Sequence, residues 1–125
     1  MKPKQLPEAE LAILEVLWRC EAASTREITQ EVYGRVTASK MASVQKLVER
    51  LEKKDCIVRD RSQRAHTFSA AVTRDDVVAT KAQALADQFC DGKIAPLVST
   101  LLRSANMSAA ERKKLKELID ELWPE

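Results

Sequence analysis

Residues 38 to 70 read ASKMASVQKLVERLEKKDCIVRDRSQRAHTFSA. The first half has apolar positions at Val44, Leu47, Val48 and Leu51, with Met41 one turn earlier. That i, i+3, i+4, i+7 spacing predicts an amphipathic helix, started by Ser39 as its cap and running to about Lys54. At 100° per residue, the opposite face collects Ser39, Ala42, Ser43, Lys46, Glu49, Arg50 and Lys53. Around Cys56 the period changes to two. CIVRDR and AHTFSA then read as two short strands joined through Ser-Gln-Arg. Val58, Asp60 and Ser62 would point away from Ile57, Arg59 and Arg61.

The same stretch concentrates charge. From Arg35 to His66 there are nine Lys/Arg against four acids, a local net of +5. The remainder carries 12 basic and 15 acidic residues, so the chain's overall +2 hides a basic middle. Such asymmetry points to an anionic partner, with a solvated helix face as the alternative.

Outward from this centre, helices dominate. The chain has 125 residues but only two Gly and four Pro, which favours helices with few loops. PEAELAILEVLWR (7–19) has acids in its first turn and Leu11, Leu14, Leu17 and Trp18 on one face, with Trp18 expected in the core. Ser24 with Glu27 forms a capping box for a second helix, TREITQEVY, which Gly34 ends.

Beyond the strands, Thr73 with Asp76 and Ser108 with Glu111 are two further capping boxes. Between them, Val78, Ala82, Leu85 and Phe89 share a face, CDGK is a helix stop, and a short apolar helix starts at Pro96. The last helix puts Leu115, Leu118, Ile119 and Leu122 together.

Three helices, a hairpin and three more helices predict a mainly α chain with a small β-hairpin. The first part matches a winged helix-turn-helix at residues 1–72, followed by a three-helix arm at 73–125. A major groove admits one helix. Small side chains at Ser39, Ala42 and Ser43 allow close approach, and Lys40, Lys46 and Arg50 supply charge. Arg59, Arg61 and Arg64 sit where a wing would reach the sugar-phosphate backbone.

Three helices with a hairpin also suit a protein-interaction module that binds no DNA. An arm of about 50 residues is small for its own core. Leu85, Phe89, Leu97, Leu101, Leu118, Leu122 and Trp123 are therefore expected to pair two copies.

Catalysis finds little support. With one His there is no Ser-His-Asp or Cys-His set, and two isolated glycines make no phosphate loop. Cys20, Cys56 and Cys90 have no metal-ligand spacing, so no metal or cofactor is expected. They read as small buried hydrophobes, with a thiol-responsive repressor using Cys90 as an alternative. With no signal peptide and no long apolar run, no membrane insertion is expected, and the context reads as cytoplasmic.

Several stretches together resemble the penicillinase repressor family, the BlaI, MecI and CopY-like bacterial transcription regulators. They are LPEAELAILEVLW (6–18), STREITQEV (24–32), SVQKLVERLEKKD (43–55), RSQRAHTFSA (61–70), FCDGK (89–93) and MSAAERKKLKELIDEL (107–122).

The resemblance implies a winged helix, a C-terminal dimerisation arm and a homodimeric repressor on palindromic operators. It places Ser43 and Lys46 in the groove and Arg61 and Arg64 on the wing. Relatives released by a sensor protease are cut at an Asn-Phe bond. Thr100-Leu101 stands at that place here, without that chemistry. The closely spaced cysteine pairs of the copper-responsive branch are missing. Asp55 stands where many relatives carry Gly.

Overall fold

A computed structural model of the chain describes residues 6–124. The elements run α1 (Glu8–Cys20), β1 (Ala23–Ser24), α2 (Thr25–Tyr33), α3 (Ala38–Lys53), β2 (Ile57–Asp60), β3 (Thr67–Ala70), α4 (Arg74–Phe89), α5 (Ile94–Ser104) and α6 (Ala109–Leu122). The chain forms two compact units, Met1–Ala82 and Gln83–Glu125, divided within the α4 sequence.

In the first unit the three helices and the hairpin stand in the predicted order, making a winged helix-turn-helix. The sheet has three strands rather than two, in the antiparallel order β1-β3-β2. β1 pairs Ala23 with Phe68 and Ser24 with Thr67. Two residues are too few to show a period, so this strand is invisible without its distant partner on β3.

The core joins all these elements: Ile13, Leu14 and Leu17 from α1, Ile28 from α2, and Val44, Val48 and Leu51 from α3. Leu6, Val16, Ala23, Cys56, Ile57, Phe68, Val72 and Val77 complete it. Each aliphatic side chain buried this way stabilises the unit by about 1.5–3 kcal/mol relative to exposure. Trp18 is half-buried against this core, and its indole N–H donates to the Val72 carbonyl at 2.9 Å.

Helix ends follow local chemistry. Ser24 Oγ accepts from the Glu27 N–H at 3.1 Å while the Glu27 carboxylate accepts from the Ser24 N–H at 2.8 Å. Gly34 closes α2 with φ 80°. The α3 cap is Thr37, not Ser39: its hydroxyl accepts from the Lys40 N–H at 3.1 Å. Ser39 lies inside the first turn because extended backbone, which a cap requires, occurs at Thr37.

The end of α3 is a Schellman turn. The Asp55 N–H donates to the Glu52 carbonyl (3.0 Å) and the Cys56 N–H to that of Leu51 (2.9 Å). Asp55 itself is left-handed, at φ 59°.

One charge is buried here. Glu10, 2% exposed, accepts a hydrogen bond from the Lys54 ammonium, tying the start of α1 to the end of α3.

In the second unit, Ser108 caps α6, its hydroxyl accepting from the Glu111 N–H at 3.1 Å. α5 begins at Ile94, so Pro96 is its third residue rather than its first. Its missing N–H costs nothing there, because the first four helical N–H groups lack intrahelical partners. Among the described residues of α5 and α6, none is buried.

The cysteines divide. Cys56 is buried, as expected, and burial pushes its thiol up from 9.0. Cys90 is half-buried, and Cys20, the last residue of α1, is exposed.

Candidate nucleic-acid interface

α3 buries Val44, Val48 and Leu51, and this orients everything else on it. Ser39, Ala42, Ser43, Lys46, Glu49, Arg50 and Lys53 are all exposed on the other side. The Ser43 hydroxyl donates to the Ser39 carbonyl at 3.3 Å, which leaves its oxygen able to accept from outside. Lys40 is half-buried, with its ammonium over the Tyr33 ring at 5.2 Å from the centroid. Tyr33 escaped the sequence reading. Its place just before Gly34 was the available signal, since it brings the ring beside the first turn of α3.

The strands pair Ile57 with Ala70, Arg59 with Phe68 and Asp60 with Thr67. Between them, residues 61–65 are exposed, so Arg61 and Arg64 stand at the hairpin tip. Asp60 Oδ1 accepts from the Ser62 N–H at 2.8 Å and tightens the turn. That bond and one from the Ser62 side chain hold the Asp60 carboxyl below its usual 3.8.

Arg59 departs from its expected place at the tip. It points inward, where Nη2 and Nε donate to the Glu52 carboxylate at 2.7 and 3.0 Å. Its guanidinium lies over the Phe68 ring, 4.7 Å from the centroid, and Nη1 is 3.2 Å from His66 Nδ1. Arg59 and Arg61 stand two positions apart, yet of these two only Arg59 forms an ion pair among the described residues.

The residues expected to pair two copies are exposed: Leu85 (48%), Phe89 (72%), Leu101 (55%), Leu118 (48%), Leu122 (60%) and Trp123 (70%). Leu97 is half-buried. Thr100 and Leu101 lie inside helical α5, and the Thr100 hydroxyl donates to the Pro96 carbonyl at 3.0 Å. Among the described residues no cluster of His, Cys, Asp and Glu could hold a metal. None of the described helices is long and apolar enough to cross a membrane.

Comparison with known proteins agrees with this architecture. A penicillinase repressor from Bacillus licheniformis is 23% identical over 120 residues, 96% of this chain and 93% of that protein. Another from Staphylococcus aureus is 22% identical over 121 residues, 97% and 95% of the two chains. The solution structure of the DNA-binding domain of the repressor BlaI aligns with a TM-score of 0.51 at 24% identity. That alignment covers 61% of this chain and 93% of the domain, and it supports the fold. The sequence profile of the penicillinase repressor family matches residues 6–121. The chain therefore belongs to the penicillinase repressor family, whose members are transcriptional repressors and not enzymes.

Proposed function

We propose that the chain is a cytoplasmic, homodimeric repressor that binds a palindromic DNA operator. In this reading residues 1–72 read the DNA and residues 73–125 pair the two copies. The observation that carries it is the outward face of α3, where Ser39, Ala42, Ser43, Lys46 and Arg50 are exposed and unobstructed by the rest of their own unit.

Small residues let the helix approach the groove floor, the serine hydroxyls meet base edges or phosphates, and Lys46 reaches a guanine edge or a phosphate. Lys40 flanks this face. Arg61 and Arg64 contact the sugar-phosphate backbone and so add affinity and register rather than sequence choice. The exposed apolar side chains on the arm support pairing of two copies, since a monomer rarely leaves so many uncovered. Two-fold symmetry in the protein then calls for two-fold symmetry in the operator.

Fluorescence anisotropy with a palindromic duplex and a scrambled control, over a salt series, tests this. The palindrome is expected to bind more tightly, with affinity falling steeply as salt rises. Lys46→Ala and Arg64→Ala should each weaken binding. A lost phosphate contact lowers the salt slope by about 1.8 for the two copies in a dimer. A flat salt response, or equal affinity for the scrambled duplex, refutes the reading.

A further inference from the structure

Arg59 is the one wing arginine that points away from the tip, and its partners span the unit. Glu52 belongs to the last turn of α3, the groove-facing helix, while Arg59 belongs to β2, the first strand of the wing. Phe68 lies directly across the sheet on β3, is 2% exposed, and is paired through its backbone register to Ala23 of β1. One side chain therefore touches the helix, both wing strands and, through Phe68, the third strand.

The chemistry suits a clamp. A guanidinium presents planar, fork-like donors that match a carboxylate with two parallel bonds, which fixes orientation as well as distance. Its flat face remains free to stack on Phe68. A guanidinium can only donate, so in this contact His66 Nδ1 is the acceptor. The pair is about one-quarter exposed, 21% at Arg59 and 27% at Glu52. It is sheltered enough to hold its geometry, and neither residue belongs to the buried core.

We propose that Arg59 and Glu52 are positioning residues that fix the wing relative to α3, so that Arg61 and Arg64 reach the phosphates flanking the groove that α3 occupies. This rests on the DNA-binding reading above. It assigns a role in affinity to an acidic residue and to an arginine that both make no contact with DNA.

The test uses the full-length protein and the palindromic duplex, with thermal melting confirming that each variant is folded at the assay temperature. Glu52→Gln removes a negative charge from a basic face, so electrostatics alone predicts tighter binding. The clamp predicts weaker binding, by about three- to tenfold, because the wing is released. Arg59→Lys keeps the charge but not the fork, and should weaken binding similarly, with a lower salt slope because the displaced wing gives up phosphate contacts although no charge has been removed.

A double-mutant cycle separates positioning from general destabilisation. Arg64→Ala should cost clearly less in the Arg59→Lys background than in the wild type, because a displaced wing no longer delivers Arg64. Unchanged or tighter binding by Glu52→Gln overturns the clamp, and so does strict additivity of Arg59→Lys with Arg64→Ala. If the wild type shows no salt-dependent preference for the palindrome, the DNA-binding reading itself fails, and the clamp falls with it.

Discussion

The turn at Asp55 offers a measurement in which almost nothing but backbone conformation changes. Its φ of 59° is left-handed, its side chain is exposed, and among the described residues it has no ion pair. A side chain in this conformation meets the following carbonyl, at a cost of about 1–2 kcal/mol for an ordinary residue and less for Asp or Asn. Glycine escapes that cost but gives back about 0.5–1 kcal/mol through its freer unfolded chain.

The net expectation is that Asp55→Gly is at least as stable as wild type. Asp55→Ala should fall about 1 kcal/mol below the glycine variant, and the β-branched Asp55→Val should fall further. For a unit of this size, 1 kcal/mol moves the melting temperature by about 4–8 °C. Urea and thermal unfolding followed by far-ultraviolet circular dichroism give the ranking. Equal stability of the glycine, alanine and valine variants would show that residue 55 is not left-handed, and that α3 does not end in this turn.

Three other outcomes are expected. Glu10→Ala should destabilise by about 2–3 kcal/mol, short of the 3–5 seen for fully buried pairs because the Lys54 side chain keeps 27% exposure. Chemical denaturation reads it, and a loss below about 0.5 kcal/mol would mean that the carboxylate is hydrated.

Phe89→Glu should raise the dissociation constant of the paired form at least about tenfold, since an uncompensated charge then enters an apolar interface; sedimentation equilibrium decides, and an unchanged constant removes α4 from that interface. The Arg59 guanidinium holds the Glu52 carboxyl below its usual 4.5. A depressed folded-state value means stability that is present above the unfolded value and lost as pH falls through the folded one. Glu52→Gln should therefore flatten the loss of stability as pH falls below the ordinary value of 4.5, and an acid limb as steep as wild type contradicts the pairing.

Much of the winged unit was readable from residue order, for reasons that are local. A capping box needs only residues three apart, and Ser24 with Glu27 and Thr73 with Asp76 both form. The amphipathic period of α3 identified its buried side without help from the rest of the chain. Readings failed where two candidates satisfied the same local rule. Thr37 and Ser39 are both hydroxyl residues near the helix start, and only the backbone conformation chooses Thr37.

They failed also where a distant partner decides. Glu10 reads as an acid favoured in a helix's first turn, and nothing near it announces Lys54, 44 positions later. Counting charges between Arg35 and His66 found a basic surface but assigned Arg59 to it. A net charge cannot say which arginine turns inward to a carboxylate. The arm is a different case: its apolar periodicity was plain, and several of those side chains stay exposed in the single chain.

The two tryptophans fall one to each compact unit, Trp18 in the first and Trp123 in the second. Their surroundings could hardly differ more. The Trp18 indole donates to a carbonyl and has the Arg74 guanidinium 4.7 Å from its ring, whereas Trp123 is 70% exposed at the end of α6. Indole emission shifts to the blue as water leaves the ring, so the two tryptophans report on different surroundings, Trp18 on the first unit's core and Trp123 on whatever covers the end of α6. If the arm pairs two copies as proposed, dilution would address Trp123, while denaturant would address Trp18. The protein's own light could thus follow assembly and unfolding separately, with no label attached.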